Sequence, residues 1–276
     1  MSEVRVRRHT RRRRAPISPQ EIIARGTIVK RLREPESGIR EKRLVELKAS
    51  RGPLTKALIK ETGSWVLTES IADTIDDLLG WDIVPPTTAR VERDLGLRGI
   101  TLLGRAGDPV SVQRWVPNAR SLADEDEDAV RVVERNFDRA MKIAVFDFII
   151  GNGDRHEGNI IVDGRGQLWA IDHDTGYTFG APIRRTEGRF SLNNDFLFAQ
   201  MEGKRIPDDI LIDLRNLSEG DLRAAVAPMA ATDEGQPSIE AVVFRWKKLL
   251  KDKHMPTARW WGYNRFEWDE DYEDYD

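Results

Sequence analysis

From Arg43 to Ala49 the chain reads RLVELKA, apolar and charged side chains alternating with period two, as in a strand with one wetted face. The longer stretch EIIARGTIVKRLREPESGIREKRLVELKA, Glu21 to Ala49, predicts two or three such strands with a turn at Pro35–Gly38. In GSWVLTESIADTIDDLLG the period changes. Leu67, Ile71, Ile75 and Leu78 recur at helical spacing, Ser64 stands where a cap belongs, and Gly80 stands where the helix ends. WDIVPPTTARV, GITLLG and PVSVQRWV predict further strands around turns rich in glycine and proline. After Asn118 the texture shifts. Val130, Val133, Phe137, Met141, Ala144 and Phe148 lay one apolar stripe along a single helix that Gly151 stops. A loop-rich section then runs to about Arg205, and helices are predicted around Pro207–Leu217, Ser218–Ala227 and Ser238–Lys251.

Strands with one helix first, and helices afterwards, define an α+β chain of two lobes. The pattern predicts a small β-rich N-terminal lobe over 19–117 and a mostly helical C-terminal lobe over 118–263, joined near Trp115–Asn118. An arginine-rich arm (1–18) and an acidic tail (264–276) flank them.

Composition narrows the classes of function. Without a cysteine, disulfides, thiolate metal sites and cysteine nucleophiles are excluded. No apolar run approaches the roughly 20 residues that span a bilayer, and the arginine-rich start lacks an apolar segment behind it, so a cytoplasmic protein is the expectation. The net charge of −3 conceals opposed ends: RVRRHTRRRR, Arg5 to Arg14, against EWDEDYEDYD, Glu267 to Asp276. Blocks of like charge are usually solvated and disordered. The Arg5–Arg14 arm also has the composition to touch nucleic acid or an acidic partner, by releasing counterions from phosphates.

The chemistry concentrates in FDFIIGNGDRHEGNIIVDGRGQLWAIDHD, Phe146 to Asp174. NIIV and QLWAID flank DGRG, a good hairpin turn. With Val162 opposite Gln167, Asn159 lies opposite Ala170, and Asp172 points to the same side one diagonal step away. That diagonal is about 7–8 Å, short enough for a hard cation held by oxygens. Asp154, in the loop before the hairpin, reaches the same space. One face thus gathers an acid able to take a proton and two oxygen ligands for Mg²⁺, which suits phosphoryl transfer, a reaction that needs mainly positioning and charge neutralisation.

An Asp with an Asn five residues on, followed by a second Asp on a paired strand, is also the spacing of a kinase catalytic loop. GNGDRHEGNIIVD…IDHD resembles the catalytic segment of the phosphatidylinositol 3-/4-kinase-like families, which share an Asp-Arg-His-x-x-Asn loop and include HipA-like bacterial kinases and small actinobacterial relatives. The similarity extends upstream through RLVELKAS, TESIADTIDDLLGWDIVPPT and SVQRWVPN, covering roughly Leu44 to Asp174. It implies a protein-kinase-like fold with ATP between the lobes and Mg²⁺ as cofactor. By the same resemblance, Lys48 is the strand lysine on the α- and β-phosphates and Glu69 is its helix partner. Asp154 is the catalytic base, with Arg155 and His156 completing the motif and His156 holding the loop in shape. Asn159 and Asp172 hold the metal, and the backbone of Gln113, Arg114, Trp115 and Val116 meets the adenine edge. The implied acceptor is a hydroxyl on a protein.

The chain departs from the family pattern in two places. It has no Gly-x-Gly-x-x-Gly, leaving Glu36–Arg40 as the segment over the phosphates, and the usual Asp-Phe-Gly is Asp172-His173-Asp174. The large accessory regions of lipid kinases have no counterpart in the sequence, which points away from an inositol lipid. Alternatives on the same residues are a small-molecule or lipid kinase, a nucleotidyl transferase, and a metal-dependent phosphohydrolase built on His156 and His173. A catalytically silent module whose arginine arm binds nucleic acid is a further alternative.

Overall fold

A computed structural model of the chain describes residues 17–32, 42–50, 52–61, 66–96, 108–124, 128–173, 196–231 and 235–257. The arginine arm, the Glu36–Arg40 turn, GITLLG, Ser64, Asp174 and the acidic tail all lie outside those residues. The first element is a helix, α1 (Pro19–Arg25), where strand had been expected. Its start is written in Ser18-Pro19-Gln20-Glu21: the Ser18 hydroxyl accepts from the Glu21 N–H, and proline opens the first turn.

Five strands follow: β1 (Thr27–Arg31), β2 (Lys42–Lys48), β3 (Thr55–Glu61), β4 (Thr87–Val91) and β5 (Pro109–Arg114). They form one antiparallel sheet in the order β1-β2-β3-β5-β4. Alternation along β3 and β5 gives the sheet two distinct faces. Ala57, Ile59, Val110 and Val112 pack with Val45, Leu47 and the isoleucines of α1 into a small core. Leu58, Lys60, Ser111 and Gln113 are buried on the opposite face, with Lys60 across from Ser111 and Leu58 across from Gln113. The helix α2 (Val66–Leu79) meets that face and packs along β4 and β5.

Gly80, at φ 67, ends α2. The Asp76 carboxylate then accepts from the N–H groups of Ile83 and Val84, at 2.9 and 2.8 Å, and turns the chain toward β4. The apolar side of α2 does not join the small core. Ile71, Ala72, Ile75 and Leu79 belong to the large core of the C-terminal lobe.

That lobe is built on α4 (Phe137–Ile150), buried almost all round and preceded by α3 (Ala129–Arg135). A single helix was expected here; Asn136 breaks it. Its side-chain amide donates to the Val132 carbonyl at 2.9 Å, satisfying the end of α3 locally. A small sheet of β6 (Arg120–Ser121), β7 (Ile160–Val162) and β8 (Leu168–Ala170) carries the expected hairpin. Its register is one residue away from expectation: Val162 faces Leu168 and Ile160 faces Ala170. Asp163 explains the longer turn, since one carboxylate oxygen accepts from both Arg165 and Gln167 N–H groups. The helices α5 (Phe196–Met201), α6 (Asp208–Asn216), α7 (Glu219–Val226) and α8 (Gly235–Asp252) complete the lobe.

Candidate active site

Lys60, near the end of β3, reaches into the space between the lobes. Its Nζ lies 2.7 Å from Glu69 Oε1 on α2 and 3.2 Å from Asp172 Oδ1 beyond β8. Glu69 is fully buried, and burial alone would raise its pKa. The charge of Lys60 and the nearby His173 together outweigh this, holding the carboxyl at about 2 and ionised. Removing either member would strand a buried charge, which costs about 3–5 kcal/mol.

The family resemblance assigns this position to Lys48, whereas the structure places Lys60 there. Lys48 is exposed at the far end of β2, beside the β2–β3 connection. Lys42, not Lys48, faces Lys60 across the ladder. Six residues of strand separate the two, about 20 Å at the usual rise. The signal for Lys60 was present in ALIKE, an apolar run ending in a lysine just ahead of the helix that carries Glu69.

The loop between α4 and β7 hangs from one carboxylate. Asp147, in the last turn of α4, accepts from Arg155 Nε at 2.9 Å and Nη2 at 3.0 Å, and from the Asn152 amide at 3.1 Å. The other nitrogen, Nη1, donates to the carbonyls of Asn159 and Ile171. Arg155 is therefore enclosed and turned away from the cleft, tying the Asp154 loop to the backbone that carries Asp172. The motif sets Arg155 among the catalytic groups; in the structure its guanidinium is fully buried and bonded to Asp147 and two backbone carbonyls. Nothing in the spacing of the sequence singles out Asp147.

Asp154 stays half-buried at the cleft. Its backbone N–H donates to Asn152 Oδ1, and its carbonyl accepts the Asn159 amide at 2.9 Å. Burial raises the Asp154 pKa and the nearby charge of Asp172 adds to this, while His156 and Arg155 oppose it. His156 Nδ1 accepts the Gly158 N–H at 3.0 Å, closing the turn that delivers Asn159. A Cβ at position 158 would stand 2.6 Å from His156 Cε1, so any side chain there would push the His156 ring out of this turn.

Asp172 takes a left-handed backbone, φ 61, uncommon outside glycine and tolerated best by Asp and Asn. Ile171 still pairs with Asn159, its N–H donating to the Asn159 carbonyl at 3.1 Å. The left-handed turn then breaks the strand, so Asp172 reaches the cleft by that turn and not by the diagonal of a regular ladder.

In the segment joining the lobes, the N–H groups of Arg114 and Trp115 donate to the carbonyls of Pro86 and Lys56. The Gln113 side chain is buried against Thr87 Oγ1 at 3.1 Å. Val116 is buried, and its N–H has no hydrogen-bond partner among the described residues. Thus the structure brings Lys60, Glu69, Asp154, Asn159 and Asp172 to one cleft beside Gln113–Val116, and leaves Lys48 outside it.

A five-stranded antiparallel lobe set on a helical lobe, with a lysine–glutamate pair and an aspartate-bearing loop at their junction, is the architecture of a kinase. Residues 120–199 match the family described as phosphatidylinositol 3- and 4-kinase, a span holding the Asp154 loop, Asn159 and Asp172. The match supports a kinase, that is, an ATP-dependent phosphotransferase. Among solved structures, the crystal structure of a Helicobacter pylori proinflammatory kinase, CtkA, is similar over 77% of this chain and 91% of that chain, at 11% identity and a TM-score of 0.44. No curated protein matches the sequence. Among the described residues no helix is long and apolar enough to cross a membrane.

Proposed function

We propose that this chain is a protein serine/threonine kinase, with Asp154 as the base that takes the acceptor's proton. The observation that carries the reading is Lys60, buried yet within hydrogen-bond distance of both Glu69 and Asp172. An ammonium held by Glu69 beside Asp172 is placed where a phosphate oxygen of ATP would meet it. ATP lies between the lobes, its adenine edge against the Val116 N–H and its phosphates toward Lys60. The acceptor hydroxyl approaches Asp154. Its oxygen bonds to the γ-phosphorus as the bond to the ADP oxygen breaks, and its proton passes to the Asp154 carboxylate.

The donor set fits Mg²⁺. Asn159 supplies an amide oxygen and Asp172 a partly exposed carboxylate that already accepts a cation, the Lys60 ammonium. Mg²⁺ is usually held by one or two such oxygens together with substrate phosphates. When bound, the ion neutralises charge on the phosphates. A histidine-based phosphohydrolase is disfavoured by the placement of its two histidines: His156 spends Nδ1 on its own turn, and His173 is buried.

Incubation with γ-labelled ATP, Mg²⁺ and a panel of protein, small-molecule and lipid acceptors tests the reading, with mass spectrometry to locate the label. Asp154→Asn and Lys60→Met are expected to lose at least about 100-fold in kcat/KM, within the span typical of a general base. Lys48→Met should stay within about threefold of wild type, because its side chain is exposed and remote from the cleft. Full transfer by Asp154→Asn would remove it as the base. Label found only on a lipid or a small molecule would replace the acceptor class.

A further inference from the structure

Where the related families carry phenylalanine after the metal-binding aspartate, this chain carries His173. The ring is completely buried and stands edge-on to Phe146 of α4, with centroids 5.7 Å apart and planes at 85°. On its other side, Nδ1 lies 3.9 Å from Glu69 Oε2. Glu69 gives its other oxygen, Oε1, to Lys60, while Oε2 is buried with no hydrogen-bond partner among the described residues. A carboxylate oxygen left so in a protein interior is costly, and a hydrogen bond from a nearby donor recovers much of that cost. A closer approach of under 1 Å brings the His173 nitrogen into bonding range.

We propose that His173 is a positioning residue: with its proton on Nδ1 it holds the second oxygen of Glu69, fixing the Lys60–Glu69 pair relative to Asp172. Three elements meet at this one carboxylate. Glu69 comes from α2, Lys60 from β3, and His173 from the segment one peptide beyond Asp172. Phe146 braces the ring from α4, so the helical lobe reaches the pair through a packed side chain. Phenylalanine in this place would keep the packing and lose the polar contact. The ionised state of Glu69 accords with this: burial raises its pKa, and Lys60 first and His173 next bring it down to about 2. The role in nucleotide binding rests on the kinase reading above; the contact itself does not.

Two measurements separate these. The first is nitrogen NMR of the histidine rings, with the His173 signals assigned by their loss in His173→Phe. Wild type should show the tautomer protonated on Nδ1, and Glu69→Gln should shift that signal or its tautomer. A ring protonated on Nε2, or indifferent to Glu69→Gln, overturns the proposal whether or not the chain transfers phosphate. The second is calorimetric affinity for Mg²⁺–ATP. His173→Asn places an N–H donor close to Nδ1 without the ring, and is expected to bind within about threefold of wild type. His173→Phe keeps the ring and should bind about tenfold more weakly, the loss of one charge-assisted hydrogen bond. Unfolding midpoints of both variants are read alongside. If Phe binds like wild type and Asn does not, His173 acts by packing alone and the proposal fails. If either variant does not fold, the NMR comparison of wild type with Glu69→Gln decides.

Discussion

One turn along α2 from Glu69, Asp73 is buried with the carboxylates of Asp77, Asp76 and Asp82 nearby. Burial foremost, then the charge of Asp77, pushes its pKa up to about 8, against a backbone hydrogen bond at Thr87. Asp76 is pushed up to about 7, again chiefly by burial. A carboxyl whose folded pKa lies above its ordinary 3.8 takes up a proton on folding. Its contribution is fully present below about pH 4 and is lost as the pH rises toward 8. Asp73→Asn, which keeps an oxygen for the Thr87 contact, should therefore stabilise the protein at pH 8 by on the order of 1–3 kcal/mol. It should also flatten the rise in stability that wild type shows from pH 8 down to pH 5, read by urea unfolding across that range. An unchanged pH slope would mean that Asp73 is ionised in the folded state. At this scale the sequence was legible where chemistry and spacing coincide. Asp154, Asn159, Asp172 and Glu69, all named by the family resemblance, lie together in one cleft. Lys48 shares the even-numbered face of β2 that looks toward the cleft, but alternation carries no information on which end of a strand meets a distant helix. That is a property of register, and only the pairing of Lys42 with Lys60 reveals it.

The loop from Gly151 to Asn159 owes its shape to the bidentate Asp147–Arg155 pair more than to its own backbone. Asp147→Ala leaves an arginine buried without its carboxylate and should cost about 3–5 kcal/mol in denaturant unfolding, a loss that an exposed ion pair would not produce. A loss below about 1 kcal/mol would mean that the carbonyls of Asn159 and Ile171 suffice for Arg155. Among elements, α2 and the α4 helix were readable because each carries a long apolar stripe. The α1 helix was not: seven residues are too few for periodicity to outweigh the strand-like pattern that follows. Its proper signal was the Ser-x-x-Glu start. The break at Asn136 and the one-residue slip at the hairpin share a cause. In each a single polar side chain, Asn136 or Asp163, bonds to nearby backbone and overrides the periodic pattern around it.

Across the whole molecule, the division into lobes follows from the switch of hydrophobic period near Asn118, a signal summed over many residues and hence robust. The allegiance of α2 could not be read in the same way, because a stripe states that a helix is buried and not against what. Chain order places α2 in the first lobe, whereas packing joins Ile71, Ile75 and Leu79 to the core of α4, α7 and α8. Trp81, just past the end of α2, reinforces this through a hydrogen bond to Asp213 of α6 at 2.8 Å. Backbone amides from Ala72 to Leu79 should accordingly exchange with deuterium as slowly as those of α4, both opening only with global unfolding. Exchange faster by orders of magnitude in α2 alone would show it to be a separate unit. Kinases can be switched off when the helix bearing the glutamate drifts from the lysine. In this chain that helix is welded to the foundation, so such drift would require melting the floor of the molecule. Prying the helix outward would bare Ile71, Ile75 and Leu79 to water as well as part Glu69 from Lys60.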